Sequence, residues 1–289
     1  MISRTPSLSA ALRATVLALA ISAIGCHSRN AAERAAEPIL EKNAAARGGV
    51  KAWRAVESMS VSGTLDAGTP RDPVKLAMAY LRQARQTRAE ARIALARARE
   101  AEPPKPVQLP FVMELKRPHK ARVEVRFRGE TAVQVYDGRS GSKLRPFLGR
   151  REVEPFTAEE LRVASQQSEL DGPLLDAAAT GGKVELEGEE PVDGRDAYRL
   201  KVTAGDGQVR HVWVDAQTFL DVKVEGTRRV DGRPRSVWTS FRDYRTVAGL
   251  LIPHVLETAV EGVKGSEKIV LDRVVLNPRL DDARFTNPG

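Results

Sequence analysis

The sequence has little of the residue types on which most metal and catalytic sites depend. It contains one cysteine, Cys26, and four histidines scattered over 289 residues, His27, His119, His211 and His254. No histidines stand at metal-binding spacing, and no second cysteine is present for a disulfide or a zinc site. Glycine-rich phosphate loops and the Gly-x-Ser-x-Gly motif of hydrolases are also missing. The sequence therefore predicts a protein that is not an enzyme and that needs no metal or cofactor.

Long apolar runs are missing too. The longest run, residues 14–25, has about a dozen residues, whereas a membrane-spanning helix needs roughly 20. Arg4 and Arg13 are the only charges before it, and small residues stand near its end. A buried N-terminal helix would have no reason to combine these three features, so we interpret residues 1–25 as an export signal.

The end of this run resembles the lipobox of bacterial lipoproteins. Its four residues are Ala23-Ile24-Gly25-Cys26. The resemblance implies cleavage before Cys26 and acylation of that cysteine with fatty acids such as palmitate, and each buried CH₂ contributes about 0.8 kcal/mol to membrane anchoring. Residues 26–45 would then be the lipidated tether and the start of an N-terminal helix. His27 stands where an Asp often favours the inner membrane, so we expect a periplasm-facing protein on the outer membrane.

Acidic residues are outnumbered by basic ones. The formal net charge is +8, with acids and bases interleaved along the chain. An excess of base can indicate nucleic acid or an anionic membrane surface as a partner. Because an exported chain does not meet nucleic acid, we expect no nucleic-acid partner and interpret the charges as a solvated β surface.

Alternation of apolar and polar residues dominates the chain from about residue 59 onward. In "KARVEVRFRG", for example, Val123, Val125 and Phe127 share one face. Asp-Gly pairs separate many of the alternating runs and favour tight hairpin turns. The sequence therefore predicts a mainly β, antiparallel fold of about ten to eleven strands. Its single apolar face must be covered by helix or by ligand.

Helical segments interrupt this pattern. Thr157 and Glu160 form a capping-box pattern at the start of one short helix, and "GPLLDAAAT" follows as a second. A longer charged segment, residues 71–104, begins at Asp72-Pro73 and is rich in Ala, Arg and Glu. This inserted helix either lies across the sheet or projects into solvent, or else it docks on a partner protein or on lipid headgroups.

Large apolar side chains on the strands are candidates for a ligand-binding face, although plain core packing would use the same residues. Curved antiparallel sheets often hold apolar ligands. Trp53 and Tyr244 are further aromatic residues expected on the concave face. The candidate ligand-binding residues are Phe111, Val125, Phe127, Val202, Trp213, Trp238 and Phe241.

Several hairpin motifs resemble the outer-membrane lipoprotein-sorting family, the LolA- and LolB-like periplasmic carriers and receptors. They include "RGGVKAWRAVESMSVSGTL", "GPLLDAAATGGKVELEGEEPVDGRDAYRLKV", "DYRTVAGLLIPHVLE" and "VVLNPRLDDARFTNP". The resemblance covers about residues 47–69 and 106–289, and the inserted helix departs from it. It implies an unclosed β-barrel, or half-barrel, over residues 46–289 with helices on the concave side.

The same resemblance implies a function. The chain would be a membrane-anchored periplasmic lipoprotein and chaperone that binds hydrophobic ligands, either lipid or the acyl chains of a client lipoprotein. Its role would be transport in lipoprotein sorting or in envelope maintenance. The alternative is a structural or regulatory envelope lipoprotein whose core is filled by its own side chains.

Overall fold

The structure is a computed structural model that describes residues 30–66, 108–146, 150–230 and 232–289. The predicted signal peptide, Cys26 and the inserted helix lie outside these residues, and so the predicted domain boundaries stay predictions.

Along the described chain, two helices precede six strands, and two further helices precede seven strands. The helices are α1 (Ala31–Ala46), α2 (Val50–Arg54), α3 (Ala158–Gln167) and α4 (Pro173–Thr180), followed by a C-terminal 3₁₀ turn (Asp282–Phe285). The strands are β1 (Ser58–Asp66), β2 (Gln108–Lys116), β3 (Lys120–Phe127), β4 (Glu130–Tyr136), β5 (Gly141–Arg145), β6 (Arg150–Pro155), β7 (Lys183–Val192), β8 (Arg195–Thr203), β9 (Val209–Asp215), β10 (Asp221–Val230), β11 (Arg233–Val247), β12 (Leu250–Val260) and β13 (Ser266–Leu276).

All these strands form one antiparallel sheet in the order β6-β5-β4-β3-β2-β1-β13-β12-β11-β10-β9-β8-β7. The chain runs outward from β1 to β6, passes through α3 and α4 to the opposite edge, and returns from β7 to β13 beside β1. Because β6 and β7 do not pair with each other, the barrel is unclosed, and the predicted fold class is confirmed.

The described part of the sheet has thirteen strands, which is more than the ten or eleven that alternation indicates. The edge strand β6 shows why strands are hard to count from sequence. Its residues, "RREVEP", include one aliphatic side chain, Val153, and that side chain is exposed. Charged edge strands resist edge-to-edge association, but they lose the apolar signal by which strands are recognised.

Strand register divides the sheet into two faces. Residues that pair directly across neighbouring strands point to the same side. The face that carries Met59, Val61 and Leu200 packs against the helices, and we call it the inner face. The opposite side is the outer face. A bulge between Ser62 and Gly63 adjusts the register of β1 against β13, and a side chain at Gly63 would collide with the carbonyl oxygen of Val270.

Two groups of buried apolar residues fill the space between helices and sheet. The first includes Trp53 of α2, Leu115 of β2 and Ile252 of β12. The second, which we call the closed cluster, joins α1 and α4 to strands β7, β8 and β9. Its members are Ala36, Ile39, Leu174, Ala177, Val184, Leu200, Val202, Val212 and Val214.

Candidate functional site

A continuous row of apolar side chains crosses five neighbouring strands on the inner face. Phe241 of β11 pairs with Leu256 of β12, and Leu256 pairs with Ile269 of β13. Ile269 pairs in turn with Leu65 of β1, and Leu65 with Leu109 of β2. All five side chains are half-buried. We call these five residues the apolar row; three of them, Leu65, Leu256 and Ile269, pack against the first core cluster, and all five keep accessible apolar surface.

The apolar row lies beside a second group of candidate residues. Phe111 and Val125 pair across β2 and β3, and Phe127 follows on the same face of β3. Phe111 is buried, whereas Val125 and Phe127 are half-buried. Four residues predicted from the sequence as ligand contacts, Phe111, Val125, Phe127 and Phe241, therefore share the inner face of the central strands.

Val202 also faces inward, but its surroundings differ. It belongs to the closed cluster and is 1% exposed, beside Leu200 at 0%. Helices α1 and α4 cover this part of the sheet. Val202 therefore packs in solid core and lies apart from the half-buried residues of the central strands.

The register places Trp213 and Trp238 on the outer face rather than on the concave side. Val212 and Val214 point inward into the closed cluster, so Trp213 between them must point outward. Its ring is covered by the Lys223 ammonium at 4.0 Å, which also lies 5.8 Å from the Trp238 ring. Long charged side chains can shield an aromatic ring in this way. Because Val212, Trp213 and Val214 are all apolar, the sequence of β9 shows no alternation from which the face of Trp213 could be predicted.

A buried ionic network lies under the helices, and the sequence offered no local signal for it. Asp171 is 1% exposed. Its carboxylate accepts hydrogen bonds from Arg54 and from Arg117, the latter at 2.6 and 3.0 Å. Arg47 donates to the carbonyl oxygen of Asp171 at 3.0 Å. These contacts join α1, α2, the β2–β3 hairpin and the α3–α4 loop.

The network continues on the other side of Arg47. Its guanidinium lies 3.7 Å from the carboxylate of Asp221 and 4.6 Å from the ring of Trp53. Asn43 donates to Asp221 at 3.0 Å, and the Tyr244 hydroxyl donates to the Asp221 carbonyl oxygen at 2.8 Å. Burial raises the pKa of Asp221, against the opposing effects of Arg47 and Asn43, and burial also raises the pKa of Tyr244.

The sequence suggested Trp53 and Tyr244 for the concave face. In the structure both side chains belong to the buried ionic network around Arg47 and Asp221. Trp53 is buried and donates from Nε1 to the carbonyl oxygen of Arg47 at 3.1 Å. The network fixes α1 and α2 to the sheet, since it joins them to the β2–β3 hairpin and to Asp221 of β10. Its charges depend on one another, because removing either charge of a buried pair leaves the other without compensation.

Helix α3 bridges the two halves of the sheet. Its predicted capping box is present, with reciprocal hydrogen bonds between Thr157 and Glu160. Glu160 also accepts from Lys143 of β5, and Glu159 accepts from the backbone N–H of Arg229 of β10. The open side of the barrel is therefore spanned by ionic and polar contacts, which water can compete with, rather than by strand pairing.

Metal binding and membrane crossing can be judged for the parts of the chain that the structure describes. No three His, Cys, Asp or Glu side chains gather there in a way that could hold a metal ion. Of the helices in those same ranges, none has both the length and the apolar character that crossing a membrane requires.

No protein-family model and no curated protein matches the chain. Solved structures do match. A LolA superfamily protein from Nitrosomonas europaea is 16% identical with a TM-score of 0.54, covering 87% of this chain and 97% of its own. An outer-membrane lipoprotein-sorting protein domain from Vibrio parahaemolyticus is 10% identical with a TM-score of 0.50, covering 88% and 97%.

A DUF1329 family protein from Desulfovibrio piger is 12% identical with a TM-score of 0.52, covering 86% of this chain and 96% of its own. At such low identities the likeness establishes the fold. The chain has a LolA-like fold, and the resemblance seen in its hairpin motifs is confirmed at that level.

Proposed function

We propose that this chain binds acyl chains, of a lipid or of a lipidated protein, along the apolar row of the inner face. The observation that carries the proposal is the half-burial of all five row residues. In the closed cluster, on the same face of the same sheet, Leu200 and Val212 are 0% exposed. Helix packing thus completes one part of the inner face and leaves the other part with apolar surface to spare.

The energetics support an acyl chain as the occupant. Burial of apolar surface contributes about 25 cal/mol per Å², and an acyl chain is flexible enough to follow a row that crosses several strands. The name of the Vibrio parahaemolyticus domain, a lipoprotein-sorting protein, fits such a ligand. A carrier or receptor for lipidated proteins in the cell envelope is therefore the role we assign.

We further propose that Cys26 is lipidated and tethers the protein to the outer membrane, facing the periplasm. The motive is the short apolar run that ends at Ala-Ile-Gly-Cys. Replacing Cys26 with Ala should release the protein from the membrane fraction, since two or more acyl chains are needed for stable anchoring. Membrane association that persists unchanged in the Cys26→Ala protein would refute the anchor without touching the ligand proposal.

The ligand proposal is tested with N-dodecyl dansylamide, a fluorescent probe whose alkyl chain stands in for an acyl chain and whose headgroup is uncharged. The purified full-length protein should bind the probe with enhanced fluorescence. Ile269→Lys puts a charge in the middle of the apolar row and should abolish binding, because a buried ammonium cannot pair with an acyl chain. Val263→Lys is the matched control, since Val263 is 50% exposed in the β12–β13 turn and lies outside the row.

A second measurement asks what the protein carries from the cell. Native mass spectrometry of the anchor-free Cys26→Ala protein, purified without detergent, should show bound lipid. A parent protein that carries no lipid and binds no probe would contradict the proposal, and it would favour the alternative of an envelope protein whose core is complete by itself.

A further inference from the structure

Two arginines face each other on the inner face at the β10–β11 hairpin. Arg228 and Arg235 are direct cross-strand partners. They lie on the same side of the sheet as Val224, which packs against the closed cluster two pairs further along β10. Like charges that are directly opposite destabilise a sheet. This pair therefore lowers the stability of the fold, and a bound anion would compensate its charge.

A third guanidinium approaches from the bridging helix. Arg162 of α3 is held by Glu159, with nitrogen–oxygen distances of 2.6 and 3.1 Å. Glu159 also accepts from the backbone N–H of Arg229, which brings the start of α3 against β10. Burial lowers the pKa of Arg228, and the nearby charge of Arg162 lowers it further.

The acids near this cluster do not pair with Arg228. Glu159 is engaged by Arg162, and the charge of Glu267 of β13 acts on Arg228 only through space. Within the described ranges, the guanidinium of Arg228 makes no hydrogen bond or ion pair, although the residue is half-buried. Nε of Arg235 is likewise buried without an acceptor. The cluster therefore holds unused donors and an excess of positive charge.

The arginines lie at one end of the apolar surface. The inward-facing residues of β11, read toward the β10–β11 hairpin, are Phe241, Thr239, Val237 and Arg235. At about 3.3 Å per residue, Arg235 lies roughly 20 Å along the strand from the apolar row. This inward line, apolar except for Thr239, ends at the basic cluster and so matches an extended acyl tail that carries an acidic headgroup.

We propose that Arg228 and Arg235, assisted by Arg162, bind the phosphate of an acidic phospholipid headgroup while the acyl chain runs along the inner face of β11 to Phe241, where the apolar row begins. The inference rests on the proposed function and narrows its ligand class. Guanidinium groups suit this task because their donors match the geometry of phosphate oxygens and stay charged when partly buried.

The experiment compares two lysolipids with the same acyl chain, lysophosphatidylglycerol, which is acidic, and lysophosphatidylcholine, which is zwitterionic. Each displaces N-dodecyl dansylamide from the full-length protein. The parent should prefer the acidic lipid by about five- to tenfold, and added salt should reduce the preference. The double variant Arg228→Gln/Arg235→Gln should lose it.

Arg229→Gln is the matched control, because Arg229 is the next residue of the same strand and points to the other face. This variant changes the net charge without touching the cluster, and it should keep the preference. The double variant should still bind the uncharged probe as the parent does, which shows that it is folded.

Each other outcome has a defined meaning. If the parent does not bind the uncharged probe, the proposed function is contradicted, and this inference is contradicted with it. A parent that binds the probe but shows no preference between the two lysolipids would overturn the inference alone. The preference for the acidic lysolipid could also disappear when millimolar inorganic phosphate is added. That result would mean that the arginines bind free phosphate as well as a headgroup, and it would overturn the lipid as the source of the anion.

Discussion

The closed cluster and the apolar row lie on the same face of one sheet, yet helices cover them to different extents. Around Leu200 and Val202, α1 and α4 complete the packing, and solvent is excluded. Around Leu256 and Ile269, side chains of the same chemistry stay half-buried. The difference arises from where the helices sit rather than from the strands. One part of the inner face is therefore closed core, whereas the other packs only at the edge of the first core cluster and keeps accessible apolar surface.

The strongest way to break this contrast is to remove the ionic network that holds the helices on the sheet. Asp171→Ala should lower the free energy of unfolding by about 3 kcal/mol, because Arg54 and Arg117 would lose the buried carboxylate that compensates their charges. Chemical denaturation measures the loss.

Asp193→Asn is the control for that change, because Asn tolerates the positive φ of this turn position while losing the charge. Asp193 pairs with Arg242 at 2.8 Å, but the side chains are 59% and 48% exposed, and exposed pairs contribute about 0–1 kcal/mol. Equal losses for the two variants would mean that the buried network does not anchor the helices.

The contrast is sharpened by truncating one leucine in each region. Leu200→Ala leaves a cavity in a fully packed site and should cost about 2–5 kcal/mol. Leu256→Ala should cost about 1 kcal/mol, because this side chain is already partly in water. Urea unfolding of both variants gives the comparison. A loss at Leu256 as large as that at Leu200 would show that the apolar row is packed core.

Enlarging a side chain probes the same contrast from the opposite direction. Val202→Trp should cost about 1–3 kcal/mol by overfilling the closed cluster. Val125→Trp should change stability by less than about 0.5 kcal/mol, since Val125 is half-buried, but it should block the binding of N-dodecyl dansylamide. Thermal unfolding and probe titration are run on both proteins. Unaltered probe binding by Val125→Trp would exclude the neighbourhood of Val125 from the site.

The smallest effect concerns the basic end of the apolar surface. Arg228→Gln removes a like-charge pair with Arg235 and should raise the free energy of unfolding by about 0.2–0.5 kcal/mol. Arg229→Gln should leave it unchanged. Differential scanning calorimetry resolves a shift of this size. A destabilised Arg228→Gln protein would mean that Arg228 is held by structural contacts rather than kept for an anion.

Local chemistry explains what was predictable. The Thr157–Glu160 capping box needs only residues three apart, and it is present as predicted. Asp193 and Gly194 both adopt positive φ between β7 and β8, at 50° and 79°, as a tight hairpin turn requires. Alternation in β3 likewise placed Val125 and Phe127 on one face. From such signals the mainly β, antiparallel architecture follows, whereas the unclosed barrel was implied by the resemblance of the hairpin motifs.

Long-range placement explains what was not predictable. Arg117 and Arg47 are 54 and 124 residues from Asp171 along the chain, so no window of sequence indicates their network. Trp213 stands among apolar neighbours, and only the inward packing of Val212 and Val214 assigns it to the outer face.

By itself, the sequence determined most of the strands, the turns and the apolar character of one face of the sheet, because these depend on residues close together along the chain. Only the tertiary structure decided which part of that face is closed. That outcome depends on where α1 and α4 come to rest after the chain has crossed from β6 to β7. Cover by a helix is a contact between distant segments, and its free energy is gained only when the whole sheet is in place.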